Sequence, residues 1–146
     1  EKKPKHLILL GDIFHEPSKR MQRLADGFYN FLSSFKIDVT VTLGNHDRHV
    51  IHHSKERNVR FIKEYMCHSI CFCHEPLYDR ACIAGHIHPG VIVKKGRLSQ
   101  RVKAFLVKDK TLILPAYGHF TGITPIKIPY DKAFILKQDN VTEYTR

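Results

Sequence analysis

The sequence predicts a single α+β domain over residues 1–146, and three observations carry that assignment. The first third holds an apolar run, a stretch with helical spacing and a second apolar run, which is the pattern of a strand, helix, strand unit with parallel strands. From Val59 onward the chain reads as short runs of β-formers broken by turn residues. Four of the strand-like runs end in a residue type that ligates metals, which puts chemistry on one sheet edge.

Composition narrows the classes. The length suffices to bury a core without staples, and no apolar run approaches the roughly eighteen residues of a membrane span. Glu1-Lys2-Lys3-Pro4-Lys5 leads into an apolar run too short for a signal peptide, so a cytoplasmic protein without membrane contact is expected. The chain starts at Glu1 rather than Met, and an N-terminal truncation is expected on that ground. A net charge of +10, from 24 Lys and Arg against 14 Asp and Glu, favours phosphates, nucleic acid or an acidic surface as partners. The basic residues are scattered, densest at the N-terminus, around Lys55-Glu56-Arg57 and from Val93 to Lys110, and read as solvated surface. Eleven histidines weigh more, because imidazole is the commonest nitrogen ligand of transition metals. The four cysteines form no C-x-x-C pair, which disfavours structural zinc; Cys71 and Cys73 alternate on a β-like run as small apolar residues of one face, and reduced thiols are expected.

Taken in order, Lys5 to Leu10 reads as a buried strand that delivers Gly11-Asp12 to a cleft. Pro17-Ser18 precede a helix to about Phe35, whose Met21, Leu24, Ala25, Phe28, Phe31, Leu32 and Phe35 recur every three or four residues and face the core. Ile37 to Leu43 is the second strand and ends in Gly44-Asn45-His46-Asp47. Arg48 to Asn58 is polar, and His49, His52 and His53 there read as a solvated loop. Val59 to Tyr65 and Ser69 to Phe72 are further strands, the latter reaching His74. Ala81 to Ala84 leads into Gly85-His86-Ile87-His88, where alternation points His86 and His88 the same way. Gly90 to Lys94, Val102 to Val107, Thr111 to Leu114 and Ala133 to Lys137 continue the β pattern, with a turn at Lys108-Asp109-Lys110. Tyr117, Phe120 and Tyr130 are expected to pack in core or loops, because no basic residues interleave them as in a single-strand binder.

Asp12, Asn45, His74, His86 and His88, with His46 beside them, form a mixed oxygen and nitrogen set that suits Mn, Fe, Zn or Co. One carboxylate in such a set can bridge two ions about 3.5–4 Å apart, an arrangement that activates water for in-line displacement at phosphorus.

The order Gly11-Asp12, Gly44-Asn45-His46-Asp47, His74 and Gly85-His86-Ile87-His88 resembles the successive motifs of the calcineurin-like metallophosphoesterases, from about residue 5 to residue 90. Gly11 to His15, Gly85 to Pro89 and Leu114 to Gly122 further resemble the ligase-associated (PdeM-type) branch, whose members are linked to DNA ligase and helicase partners. The resemblance implies a metallo-dependent phosphatase-like αββα sandwich, two mixed β-sheets flanked by helices. It also implies a metal-dependent phosphoesterase, foremost a phosphodiesterase or nuclease acting on DNA or RNA, with water activated by two divalent ions and a role in DNA repair. By position, Asp12 bridges the metals, Asn45, His74 and His86 complete the second site, and His88 belongs to the first. His46 sits over the scissile phosphate with Asp47 orienting its ring. Arg48 reads as a phosphate contact or a surface ion pair, and His15 and His119, each after a motif-like turn, read as pocket-lining or surface residues.

One motif of the family is missing: no Asp-x-His precedes Gly11-Asp12, so Lys5 to Leu10 corresponds to the family's second strand. The expectation is a domain lacking its first strand, with the first metal left only Asp12 and His88, one ion held better than two, and low activity. A phosphomonoesterase or nucleotide hydrolase is the alternative among enzymes. A non-catalytic basic module that binds nucleic acid or a partner is the alternative outside them.

Overall fold

Three parallel strands, β1 (His6–Leu9), β2 (Asp38–Thr42) and β3 (Val59–Ile62), form a small sheet in the order β1-β2-β3. The computed structural model describes residues 3–14, 21–47, 58–118, 121–126, 128–137 and 140–145. Helix α1 (Met21–Ser33) links β1 to β2, so the expected strand, helix, strand unit is present and its strands are parallel. Phe28 and Leu32 bring the helix face against Leu7, Leu9, Val39, Val41, Val59 and Phe61. Phe31, expected on that face, is 57% exposed and instead sets its ring edge-on to Phe35. The hydroxyls of Ser33 and Ser34 donate to the Asn30 and Phe31 carbonyls and satisfy two acceptors at the frayed helix end.

Among the described residues the larger sheet has nine strands. Along its main path the order is β10 (Thr124–Pro125), β7 (Pro89–Lys95), β8 (Leu98–Lys108), β9 (Thr111–Ile113), β6 (Cys82–Ala84), β5 (Ile70–Cys73) and β4 (Glu64–Cys67). Off this path β11 (Lys132–Lys137) pairs with β8, and β12 (Asn140–Glu143) with β11. This sheet is mixed, and the described strands of the small sheet are parallel, an α+β arrangement of β-sheets with few helices as expected. Among the described residues α1 is the one flanking helix.

The run Val59 to Tyr65, read as one strand, breaks at Lys63 into β3 of the small sheet and β4 of the large one. Both halves are β-formers, so periodicity carries no sign of the change of sheet. The strands β10 and β12 carry no clear β signal in the sequence, since one is two residues long and the other is polar.

The larger sheet buries Val91, Ala104, Leu106, Ile113, Ala133 and Ile135. Beside them Cys71, Cys73, Cys82 and Ala84 pack under Leu77, whose carbonyl accepts the Thr111 hydroxyl. All four cysteines are free thiols, and burial pushes the Cys71 and Cys73 thiols up. The two sheets meet where the Tyr65 ring stands edge-on to His6 at 5.0 Å between centroids. Among the described residues no helix is long and apolar enough to cross a membrane.

Candidate metal centre

Strands β1 and β2 run parallel in one sheet, and β5 and β6 in the other. Their C-terminal ends lead directly to Asp12, Asn45, His74 and His86, so chain direction brings four candidate ligands to the C-terminal ends of both sheets' parallel strands.

The two loops of the small sheet touch through glycines. A Cβ on Gly44 would lie 2.1 Å from Asp12 Oδ1 and 2.3 Å from its main-chain nitrogen, and one on Gly11 would lie 2.7 Å from His74 Nδ1. Only a residue without a side chain permits that approach. Gly11, at φ 77°, also has the left-handed backbone that glycine adopts without penalty. Asp12, His86 and His88 take the same region, with φ of 51°, 65° and 51°. Non-glycine residues held there carry strain that the surrounding structure must offset, and such residues concentrate at functional sites.

Asp47 fixes the frame. Its buried carboxylate accepts four main-chain N–H groups: Asp12 at 2.8 Å and Gly44 at 2.9 Å on Oδ2, Ile13 at 2.9 Å and Phe14 at 3.2 Å on Oδ1. Both oxygens are occupied by backbone donors, and the residue locks the Asp12 loop to the Asn45 loop. The main-chain N–H of His46 donates to Asp12 Oδ1 at 3.0 Å, and the residue itself lies at the exposed edge of the site.

His74 stands at the centre and is buried. Its Nδ1–H donates to the Leu10 carbonyl at 2.7 Å; a carbonyl only accepts, so whenever the ring is neutral Nε2 is the bare nitrogen. Around that nitrogen lie His86 Nδ1 at 2.9 Å, Asp12 Oδ2 at 3.1 Å and Asn45 Oδ1 at 3.2 Å. Lone pairs gathered this closely repel one another unless protons or a cation separate them.

The donor set fits a divalent ion. Ligand bonds of about 2.0–2.2 Å place neighbouring donor atoms about 3 Å apart, which is the spacing around Nε2. The ligating atoms of Asp12, His74 and His86 all lie within 4.8 Å of one another, and Asn45 adds the fourth donor. The Leu10 carbonyl is an outer partner of the kind that would set the imidazole tautomer for metal ligation. It is a main-chain group, and nothing in the sequence could have singled it out.

His88 is not part of that group. Arg48, His15 and His119, together with His49, His52 and His53, lie outside the described residues. Tyr130 packs against the core of the larger sheet as expected, while Tyr117, expected to pack, is fully exposed.

A family model described as calcineurin-like phosphoesterase matches residues 1–134. No curated protein matches the chain. Among solved structures, the crystal structure of Pseudomonas putida nuclease MPE is similar, with a TM-score of 0.69 and 23% identity over 96% of this chain and 71% of that one. At that identity the likeness speaks for the fold.

Proposed function

Because the chain belongs to the calcineurin-like phosphoesterase family, a family of metal-dependent hydrolases of phosphate esters, we propose that it is a phosphodiesterase of the nuclease type. The single observation that carries this reading is the convergence of Asp12 Oδ2, Asn45 Oδ1 and His86 Nδ1 on the bare Nε2 of His74. A divalent ion bound there supplies Lewis-acid polarisation of water and of a phosphoryl oxygen.

The chain's own residues do the rest. Asp12 presents Oδ2 to the ligand cluster while the His46 N–H steadies Oδ1, and Asp12 would be the residue shared with a second ion. His46, at the rim, is assigned the transfer of a proton to the leaving oxygen. His88 is assigned to the other ion. The diester preference draws on the nuclease named among similar structures, and the four free thiols suit a reducing, cytoplasmic compartment.

Hydrolysis of bis-p-nitrophenyl phosphate with Mn(II) tests the reading. The expected result is turnover that chelator abolishes and that His46→Ala lowers by about 10²-fold or more. Absence of metal-dependent turnover, or turnover indifferent to His46→Ala and His74→Ala together, overturns it.

A further inference from the structure

The β7–β8 hairpin begins at Pro89, immediately after His88, and has no part in the ligand cluster. Its register runs from Gly90 opposite Lys103 to Lys95 opposite Leu98. Beyond that, β8 pairs antiparallel with β9 from Leu106 to Lys108. The end of β9 lies beside the His86 loop, where the Leu114 N–H donates to the Ala84 carbonyl. Residues 98–103 of β8 therefore continue past the end of β9, and the hairpin projects as an arm from the edge that carries the metal centre.

One face of this arm is cationic and looks the right way. Residues paired across neighbouring strands share a face, which links Tyr65, Phe72, Ile83, Leu112 and Val107 in turn. Alternation along β8 then adds Phe105, Lys103 and Arg101, and Lys94 joins them opposite Ser99. Tyr65 of that face rests on His6 of the small sheet, so Lys94, Arg101 and Lys103 lie on the side turned toward the sheet bearing Asp12 and Asn45.

No Asp or Glu occurs between Asp79 and Asp109, and the arm carries Lys94, Lys95, Arg97, Arg101 and Lys103. Lys94, Arg97 and Arg101 are exposed, and among the described residues no ion pair neutralises them. Charges that looked scattered along the chain are thus grouped by the hairpin. The Lys103 ammonium donates to the Ala116 and Gly118 carbonyls, each at 2.6 Å, and so pins both sides of Tyr117, whose ring is fully exposed. A pinned, exposed aromatic beside a row of unpaired cations is the pairing that single-stranded nucleic acid requires, with bases stacking and phosphates meeting positive charge.

We propose that the β7–β8 arm and Tyr117 form the binding surface for a single-stranded nucleic acid, with Lys94, Arg97 and Arg101 on phosphates and Tyr117 stacked on a base. What becomes of the strand rests on the phosphodiesterase reading; its capture does not.

The test is anisotropy of a fluorescein-labelled oligothymidylate with the whole chain in chelator, with circular dichroism confirming the fold of each variant. The triple variant Lys94→Ala, Arg97→Ala, Arg101→Ala is expected to bind at least about tenfold more weakly at 50 mM salt and to lose about 2 from the slope of log K against log salt. A control losing three charges at the opposite edge, Lys5→Ala, Lys36→Ala, Lys110→Ala, is expected to retain that slope. Tyr117→Ala is expected to weaken binding about tenfold, with Tyr117→Phe restoring it. Equal weakening by the control, an unchanged slope in the arm variant, or no binding by the parent chain overturns the proposal. Binding through the arm without Mn(II)-dependent cleavage refutes the phosphodiesterase reading alone, whereas cleavage indifferent to the arm in binding refutes the arm alone.

Discussion

Asp47 accepts the main-chain N–H of Asp12 at 2.8 Å, tying the first ligand loop to the second through a buried carboxylate. Three further main-chain donors, from Ile13, Phe14 and Gly44, end on the same side chain. Removing the acceptor leaves buried N–H groups unsatisfied at about 1–3 kcal/mol each before water or relaxation compensates. Asp47→Ala is therefore expected to lose about 3–5 kcal/mol in denaturant unfolding. A loss below about 1 kcal/mol would show that the loops hold without this brace.

The closeness of Gly44 to Asp12 gives a second expectation. In Gly44→Ala the new methyl meets the Asp12 carboxylate at 2.1 Å, so the ligand must move. Mn(II) affinity read by electron paramagnetic resonance is expected to fall about 10- to 100-fold, the size of effect seen when support around a ligand is disturbed. Gly27→Ala, in the middle of α1 with nothing within 4 Å of the added Cβ, is the contrasting control. It should stabilise the fold by about 0.5–1 kcal/mol and leave the ion alone. Equal metal affinity in both variants would show that the loop contact does not position Asp12.

The cysteine cluster predicts chemical inertness. Burial pushes the Cys71 and Cys73 thiols up from their ordinary value of 9.0, so the folded state favours the protonated form. That contribution to stability is complete below the unfolded value and is lost as pH rises past it toward the folded value, so stability should decline above about pH 9. At pH 8, Ellman's reagent is expected to find Cys67, the one thiol that is not buried, and to reach the other three only after denaturation. Rapid reaction of all four in the folded chain would contradict the packing under Leu77.

Much of this was legible in the residues. The alternation of apolar runs and the helical spacing of Ala25, Phe28 and Leu32 gave the βαβ unit, and the ligand types at strand ends marked the edge where Asp12, Asn45, His74 and His86 now meet. The break at Lys63 was hidden because β-propensity is blind to which sheet receives a strand. The Asp47 brace was hidden because four main-chain donors leave no trace in side-chain identity. Tyr117 was misjudged, since its exposure depends on Lys103 pinning the loop from another strand. The arm's charge was visible as an acid-free stretch, but only the hairpin register turns that stretch into a surface.

Calorimetric titration of Mn(II) into the metal-free chain, repeated on His74→Ala, bears most directly on the central claim that four side chains share one cation. The expected result is one ion bound tightly per chain and no tight binding by the variant. No tight ion, or an undiminished heat from His74→Ala, would contradict it.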